Sequence, residues 1–297
     1  FFFFSLYIIG QETIFIDGTT TNDRTLFFWQ GVVIPKNVPQ KLIYRNNSIT
    51  AINASGYLLQ AGDELVNASN NYLDGEVITG NVFTWNGTDL KSITHGVFTG
   101  YNINVQIKYN FLDKVPMGIL RKSNGMTNTT GGVAYNIIKN PLVGIVVKGM
   151  NGVCIYNNTL YSAKTEAEAY RGLVEVYSND IPVSASTGTK IKNNIFYTVN
   201  PIINISLEDI ACVEKFESDY NVFWCENGVP KFNYLGLIKT FSQWQQLGYD
   251  LHSIVINPKF IDLQNFVPLT RLDYGTDLGS EWQAGLSTNS SWGKTDP

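Results

Sequence analysis

Cysteine, histidine and charge are the scarce commodities of this chain, and each shortage excludes something. Three cysteines in 297 residues cannot build a disulfide framework, and with only two histidines they make no zinc signature. Charged residues make up 15% of the chain, against roughly 25% in a typical soluble protein. The balance of 21 basic and 25 acidic residues leaves a net charge of −4. Such a chain has no overall field with which to hold nucleic acid or an anionic membrane surface. No run reaches the ~18 apolar residues of a membrane-spanning helix. Clustered aspartates of the glycosidase kind are also missing, which disfavours hydrolysis by paired carboxylates.

What is present is a fold's worth of apolar residues, 44% of the chain, which excludes disorder. The opening stretch Phe1 to Ile9 has the length of a signal-peptide core, but no methionine or basic segment precedes it. It is expected to form a strand or cap over one end of the fold, with a further segment upstream. Cys212 and Cys225, thirteen residues apart, are candidates for a single disulfide in an exported protein, and Cys154 reads as a small buried hydrophobe.

The chain repeats itself. An asparagine followed two residues later by a large apolar side chain recurs at Asn47, Asn81, Asn110, Asn136, Asn158, Asn194 and Asn221, at intervals of 34, 29, 26, 22, 36 and 27 residues. Short alternating segments such as Val105 to Tyr109 precede most of them, the pattern of a strand running into a corner. A glycine followed by apolar residues recurs in phase at Gly96, Gly118, Gly144 and Gly172, eight residues after Asn110 and Asn136 in the two middle cases. Each repeat therefore holds several short strands and no room for a ten-residue helix. Asparagine suits the corners because it tolerates a left-handed backbone and its amide bonds neighbouring backbone.

These facts predict an all-β protein, a right-handed single-stranded parallel β-helix, with the asparagines stacked as a ladder from coil to coil. The leucine-rich repeat is the rival. It fits less well, because the intervals vary and the apolar positions are β-branched or aromatic. Insertions at 56–74, 162–170 and 178–189 are placed to build a wall on one face. The one helix signal is Thr240 to Gly248, with an N-cap, apolar residues at i, i+3 and i+6, and a terminating glycine. The reading divides the chain into coils over 1–225, with an N-terminal cap over about 1–40, and an irregular C-terminal extension over 226–297.

The runs Asn151 to Tyr161 and Gly188 to Tyr197 resemble the coil signature of right-handed β-helix proteins of the polysaccharide lyase and epimerase type. The segments Phe216 to Phe223, Phe241 to Gln245 and Asn257 to Phe260 are similar to the ends of exported Bacteroidetes-type members. The resemblance covers roughly residues 76–285. It implies a secreted or cell-surface protein acting on an acidic polysaccharide, with no nucleic-acid partner. Such enzymes neutralise a uronate carboxylate with calcium or a basic side chain, abstract the C5 proton and protonate the leaving oxygen. No calcium-ligand spacing emerges from the carboxylates at Glu166/Glu168/Glu175 or at Glu208/Asp209/Glu214/Glu217/Asp219, so the metal is left open.

Aligning the glycine-led strands puts Lys122 and Lys148 in one column on adjacent coils, with Arg121 beside Lys122. The position before each glycine holds His95, Met117, Val143 and Arg171. Two lysines in register with no alternating acid repel one another, and an anionic ligand would relieve that. The expected site is therefore Lys122 or Lys148 as base, Arg121 or Arg171 as carboxylate partner, and His95 as a second acid or base. His252 is expected to be structural and paired with Asp250. Tyr101, Tyr161, Tyr177, Tyr197 and Trp224 are the aromatics available to stack on sugars. The competing class is a non-catalytic surface or appendage protein, an adhesin or tailspike-like module that binds glycan or only spaces other parts.

Overall fold

The computed structural model describes residues 7–8, 13–18, 20–22, 26–27, 41–51, 56–62, 73–87, 94–165, 171–180, 183–270, 272, 274–279 and 282. They form an all-β protein built on three sheets, each of nine described strands. The chain visits the sheets in a fixed cyclic order, and each strand pairs with the strand one full circuit later. One circuit illustrates the rest. Gln106–Lys108 lies in the first sheet, Phe111–Asp113 in the second and Met117–Lys122 in the third; these strands pair respectively with Gly132–Ala134, Ile137–Lys139 and Val143–Lys148. All these pairings are parallel. The described exceptions within the three sheets are the two end pairs, Tyr7–Ile8 with Thr13–Asp17 and Lys231–Tyr234 with Leu237–Thr240.

Period-two alternation fills the interior with columns of side chains, at least one per sheet. In the second sheet Ile49, Phe83, Leu112, Ile138, Leu160, Phe196 and Phe223 stack in register, all buried. In the third, Leu59, Val97, Ile119, Ile145, Val174 and Ile205 do the same. Such columns favour β-branched and aromatic residues, with leucine at Leu59, Leu112 and Leu160, because each side chain must pack on an apolar neighbour one strand spacing away.

The asparagines form a continuous ladder. Asn47 Nδ2 donates to Asn81 Oδ1 at 3.1 Å, Asn81 to Asn110 at 2.9 Å, Asn110 to Asn136 at 2.9 Å and Asn136 to Asn158 at 3.0 Å. Asn158 then donates to Asn194 at 3.0 Å, and Asn194 to Asn221 at 3.1 Å. Each ladder oxygen also accepts the preceding asparagine's backbone N–H. The left-handed residue at this corner is not the ladder asparagine, as the sequence suggested, but the one before it. Tyr109, Tyr135 and Tyr220 hold φ of 57°, 57° and 58°, alongside Asn46, Asn157 and Asn193. A left-handed non-glycine residue costs roughly 1–2 kcal/mol. The ladder bonds on the next residue hold it there.

The glycine column packs the corner between the second and third sheets. A Cβ on Gly118 would lie 2.3 Å from the Gly144 carbonyl oxygen, and one on Gly144 would lie 2.6 Å from that of Leu173. The fourth glycine leaves the pattern. Val143 pairs with Gly172, so Leu173 occupies the place opposite Gly144 and the last strand is offset by one residue from the sequence alignment.

The sheets continue past residue 225: Lys231–Tyr234 extends the third and Ile254–Val255 the second. The helix Phe241–Gln246 is capped by Thr240 and Gln243 in a reciprocal capping box. Its Trp244 is buried and stacks on Phe232 at 5.0 Å, while Leu247 is exposed. Beyond it, Phe266 packs on Tyr161 and Tyr197, and Leu272 on Ile195 and Val222. Trp282 covers Tyr135 and Tyr156 on the first sheet. The described extension thus crosses the outer faces of the second and first sheets.

The cysteines depart from expectation. All three thiols are free, and Cys154 is half-buried rather than buried. Cys212 lies on the turn Ile210–Val213 leading from the third sheet to the first, and packs into the main core. Cys225 ends a strand of the second sheet, opposite Thr198, and so faces a different corner. Of the expected N-terminal cap over 1–40, the described parts are strands Tyr7–Ile8, Thr13–Asp17, Thr20–Asn22 and Leu26–Phe27.

Candidate functional site

The outer face of the third sheet carries the candidate site. Along a strand, neighbouring residues point to opposite faces, and this divides the expected residues at once. Lys122 and Lys148 are direct register partners, and the row continues to Tyr177. Arg121, one residue from Lys122, points inward and is completely buried. It donates to Thr99 Oγ1 at 2.7 Å, the Asn102 carbonyl at 3.3 Å and Asn128 Oδ1 at 3.2 Å. Its expected role as a substrate-carboxylate partner is therefore withdrawn: no ligand on the outer face reaches it.

Arg171 lies on the outer face but is already engaged. Its Nε donates to Glu175 Oε1 at 2.9 Å and its Nη2 to Glu175 Oε2. Burial works against its charge, but the hydrogen bonds and charge of Glu175 outweigh it and hold the guanidinium above its ordinary pKa. The guanidinium carbon sits 5.8 Å from the Tyr177 ring centroid. The one-residue offset at Gly172 takes Arg171 out of the row of His95, Met117 and Val143 and puts Gly172 there instead.

His95 is buried among Tyr57 and Phe98, its ring 4.9 Å from that of Tyr57. Its row stands five residues from the lysine row, about 16 Å at the usual strand rise. The structure does not bring it to the lysines. His252 pairs with Asp219, Nδ1 to Oδ2 at 2.7 Å, and stacks on Tyr220, rather than pairing with Asp250. Of the other aromatics, Tyr101, Tyr161 and Tyr197 are buried.

Lys122, Lys148 and Tyr177 remain together. Neither lysine forms an ion pair with a described residue, whereas Lys190 and Lys192 both pair with Glu217. The Lys148 ammonium lies 4.9 Å from the Tyr177 ring centroid. Partial burial holds Lys148 below the ordinary lysine range; Lys122 and Arg171 push the same way, and Asp180 and Glu175 oppose them. Tyr177 is held above its ordinary value by burial and then by Glu175, so it keeps its proton. Asp180 stands on a short hairpin, Asn179–Asp180 with Val183–Ser184, inside the insertion expected over 178–189. That hairpin is anchored beside the lysine row, with Asn179 Nδ2 donating to the Ser123 carbonyl at 3.2 Å.

The pairing of Tyr177 with Lys148 was not visible in the sequence, because the glycine alignment put Val176 in that column. Residues 166–170, with Glu166 and Glu168, lie outside the described residues. Among the described residues no three His, Cys, Asp or Glu side chains converge to hold a metal. The described carboxylates of the two acidic clusters have separate duties. Asp209 caps the turn at Ala211 and Cys212, Glu217 pairs with lysines, Asp219 with His252, and Glu208 accepts from Ser206 and Asn233. No described helix is long and apolar enough to cross a membrane.

No family model, curated protein or solved structure matches the chain.

Proposed function

We propose that the coils wind as a right-handed parallel β-helix and that its third sheet binds and cleaves an acidic polysaccharide by elimination. Parallel crossovers within a sheet are right-handed in about 98% of cases, which supports the hand. The observation that carries the function is a row of two lysines, half-buried and without ion-pair partners among the described residues, in adjacent coils and ending at a protonated tyrosine. Anionic groups spaced about one coil apart, roughly 4.8 Å, would each meet one ammonium.

In this reading Lys122 neutralises the uronate carboxylate, which acidifies the C5 hydrogen. Lys148, its pKa lowered, takes that proton as its neutral amine. The C4–O4 bond breaks as the C4=C5 double bond forms, and Tyr177 donates its hydroxyl proton to the departing oxygen. Return of the proton to the opposite face of C5 without cleavage would give epimerisation from the same groups. A polymeric substrate of this kind places the protein outside the cell, secreted or on its surface.

Incubation with a panel of polyuronides, following the absorbance of the unsaturated product, tests the reading. Turnover that Lys148→Ala abolishes supports it. Saturable binding with no unsaturated or epimerised product would instead make the protein a glycan-binding module.

A further inference from the structure

Beneath the lysine row, on the inner side of the same strand, the interior holds a charged corner that the proposed reaction does not use. It lies where the chain turns from the third sheet to the first. Arg121 and Glu76 are both completely buried there. Each feels the other's charge: burial pushes Glu76 up to about 8 and Arg121 down to about 10, and the opposite charge pulls against both shifts. Asn102 and Asn128, also buried, complete the group through their bonds to the guanidinium.

Its hydrogen bonds do not close among the described residues. Neither carboxylate oxygen of Glu76 accepts a bond, and Arg121 Nε donates none. Asn128 Nδ2 and Asn102 Oδ1 are likewise without partners. A buried polar atom left unpaired is strongly unfavourable, and native interiors satisfy such atoms with protein or ordered water. The unmet set holds donors and acceptors together. A single anion would serve Arg121 and Asn128 but leave the acceptor Asn102 Oδ1 without a donor, while a cation would face the guanidinium. Water both donates and accepts, and two donors with two or more acceptors is its natural complement.

We infer that this corner is a binding site for ordered water, at least one molecule joining Arg121 Nε and Asn128 Nδ2 to Glu76 and Asn102 Oδ1. The water is structural and sits on the inner face of the sheet whose outer face presents Lys122. It is independent of the lyase reading, because none of its residues reaches the outer face.

A high-resolution crystal structure of the whole chain tests it. An oxygen within about 2.7–3.2 Å of Arg121 Nε and of Glu76 or Asn102 is the expected result. Direct Arg121–Glu76 contact with no water would overturn the inference, as would an ion in that position. Long-lived water contacts to the Arg121 Nε proton, read by NMR on deuterated protein, give a second measurement in solution. Glu76→Met should remove the water peak while the three Arg121 bonds persist. If that variant does not fold, the wild-type density and the NMR contact decide the matter between them.

Discussion

Asp250 ends the asparagine ladder, and replacing it should loosen the last coils. In the ladder every amide points its N–H toward the C-terminal end, so the final donor, Asn221 Nδ2, stands at the positive end of a row of aligned dipoles. Asp250 Oδ1 accepts from it at 2.8 Å. The same carboxyl group accepts from Ser218 Oγ at 2.6 Å, Trp244 Nε1 at 2.7 Å and Ser253 Oγ at 2.5 Å. Burial pushes this carboxyl above the usual range, and the four donors pull against that. In Asp250→Asn the amide oxygen can still end the ladder, but its NH₂ then confronts the indole N–H of Trp244, which is buried. The serine hydroxyls can rotate away. The indole cannot. One orphaned buried donor costs about 1–3 kcal/mol. Asp250→Ala also removes the ladder's last acceptor, for about 3–5 kcal/mol together. Stacked repeats need not unfold in a single step, so the readout is amide hydrogen exchange along the ladder. Faster exchange at Val222 and Ile254, with Ile137 unchanged, is expected. A cost below about 0.5 kcal/mol for Asp250→Asn, or uniform exchange along the stack, would refute the carboxylate as terminator.

The remaining expectations concern charge, packing and the site. Glu76 is raised from the ordinary ~4.3 to about 8, so between those values the folded chain binds more protons than the unfolded one. Its contribution is full below pH ~4 and is lost as pH rises through about 8, on the order of 5 kcal/mol in all. Urea midpoints for Glu76→Gln should lack that fall, and an identical pH profile would dispose of the argument. Gly118→Ala brings a Cβ against the Gly144 carbonyl and should cost about 1–3 kcal/mol by thermal unfolding; a neutral result would mean the corner is looser than it looks. Lys122→Ala and Lys148→Ala should each weaken acidic-glycan binding at least tenfold by calorimetry. Lys192→Ala, whose ammonium already pairs with Glu217, should leave it unchanged, and equal losses in all three would reduce the site to general surface charge.

The sequence by itself determined the parts of this protein that are local. Asparagine at a corner and alternation along a strand are set by the backbone's own periodicity, so Asn81, Asn110 and Asn136 could be placed without coordinates. Lys122 and Lys148 could be paired because the strands bearing them have the same length from glycine to lysine. That Arg121 faces inward also follows from alternation: it neighbours Lys122 in the chain, but adjacent residues on a strand face opposite ways. Other features were decided only by the tertiary structure. The offset at Gly172 exchanges Val176 for Tyr177 in the lysine row, and it depends on Leu173 fitting opposite Gly144, a contact between coils. The separation of Cys212 from Cys225 and the course of the extension over the first two sheets rest on groups that meet only when coils stack. Local spacing sets the coil; which faces are left for a ligand is set by what the rest of the chain packs against.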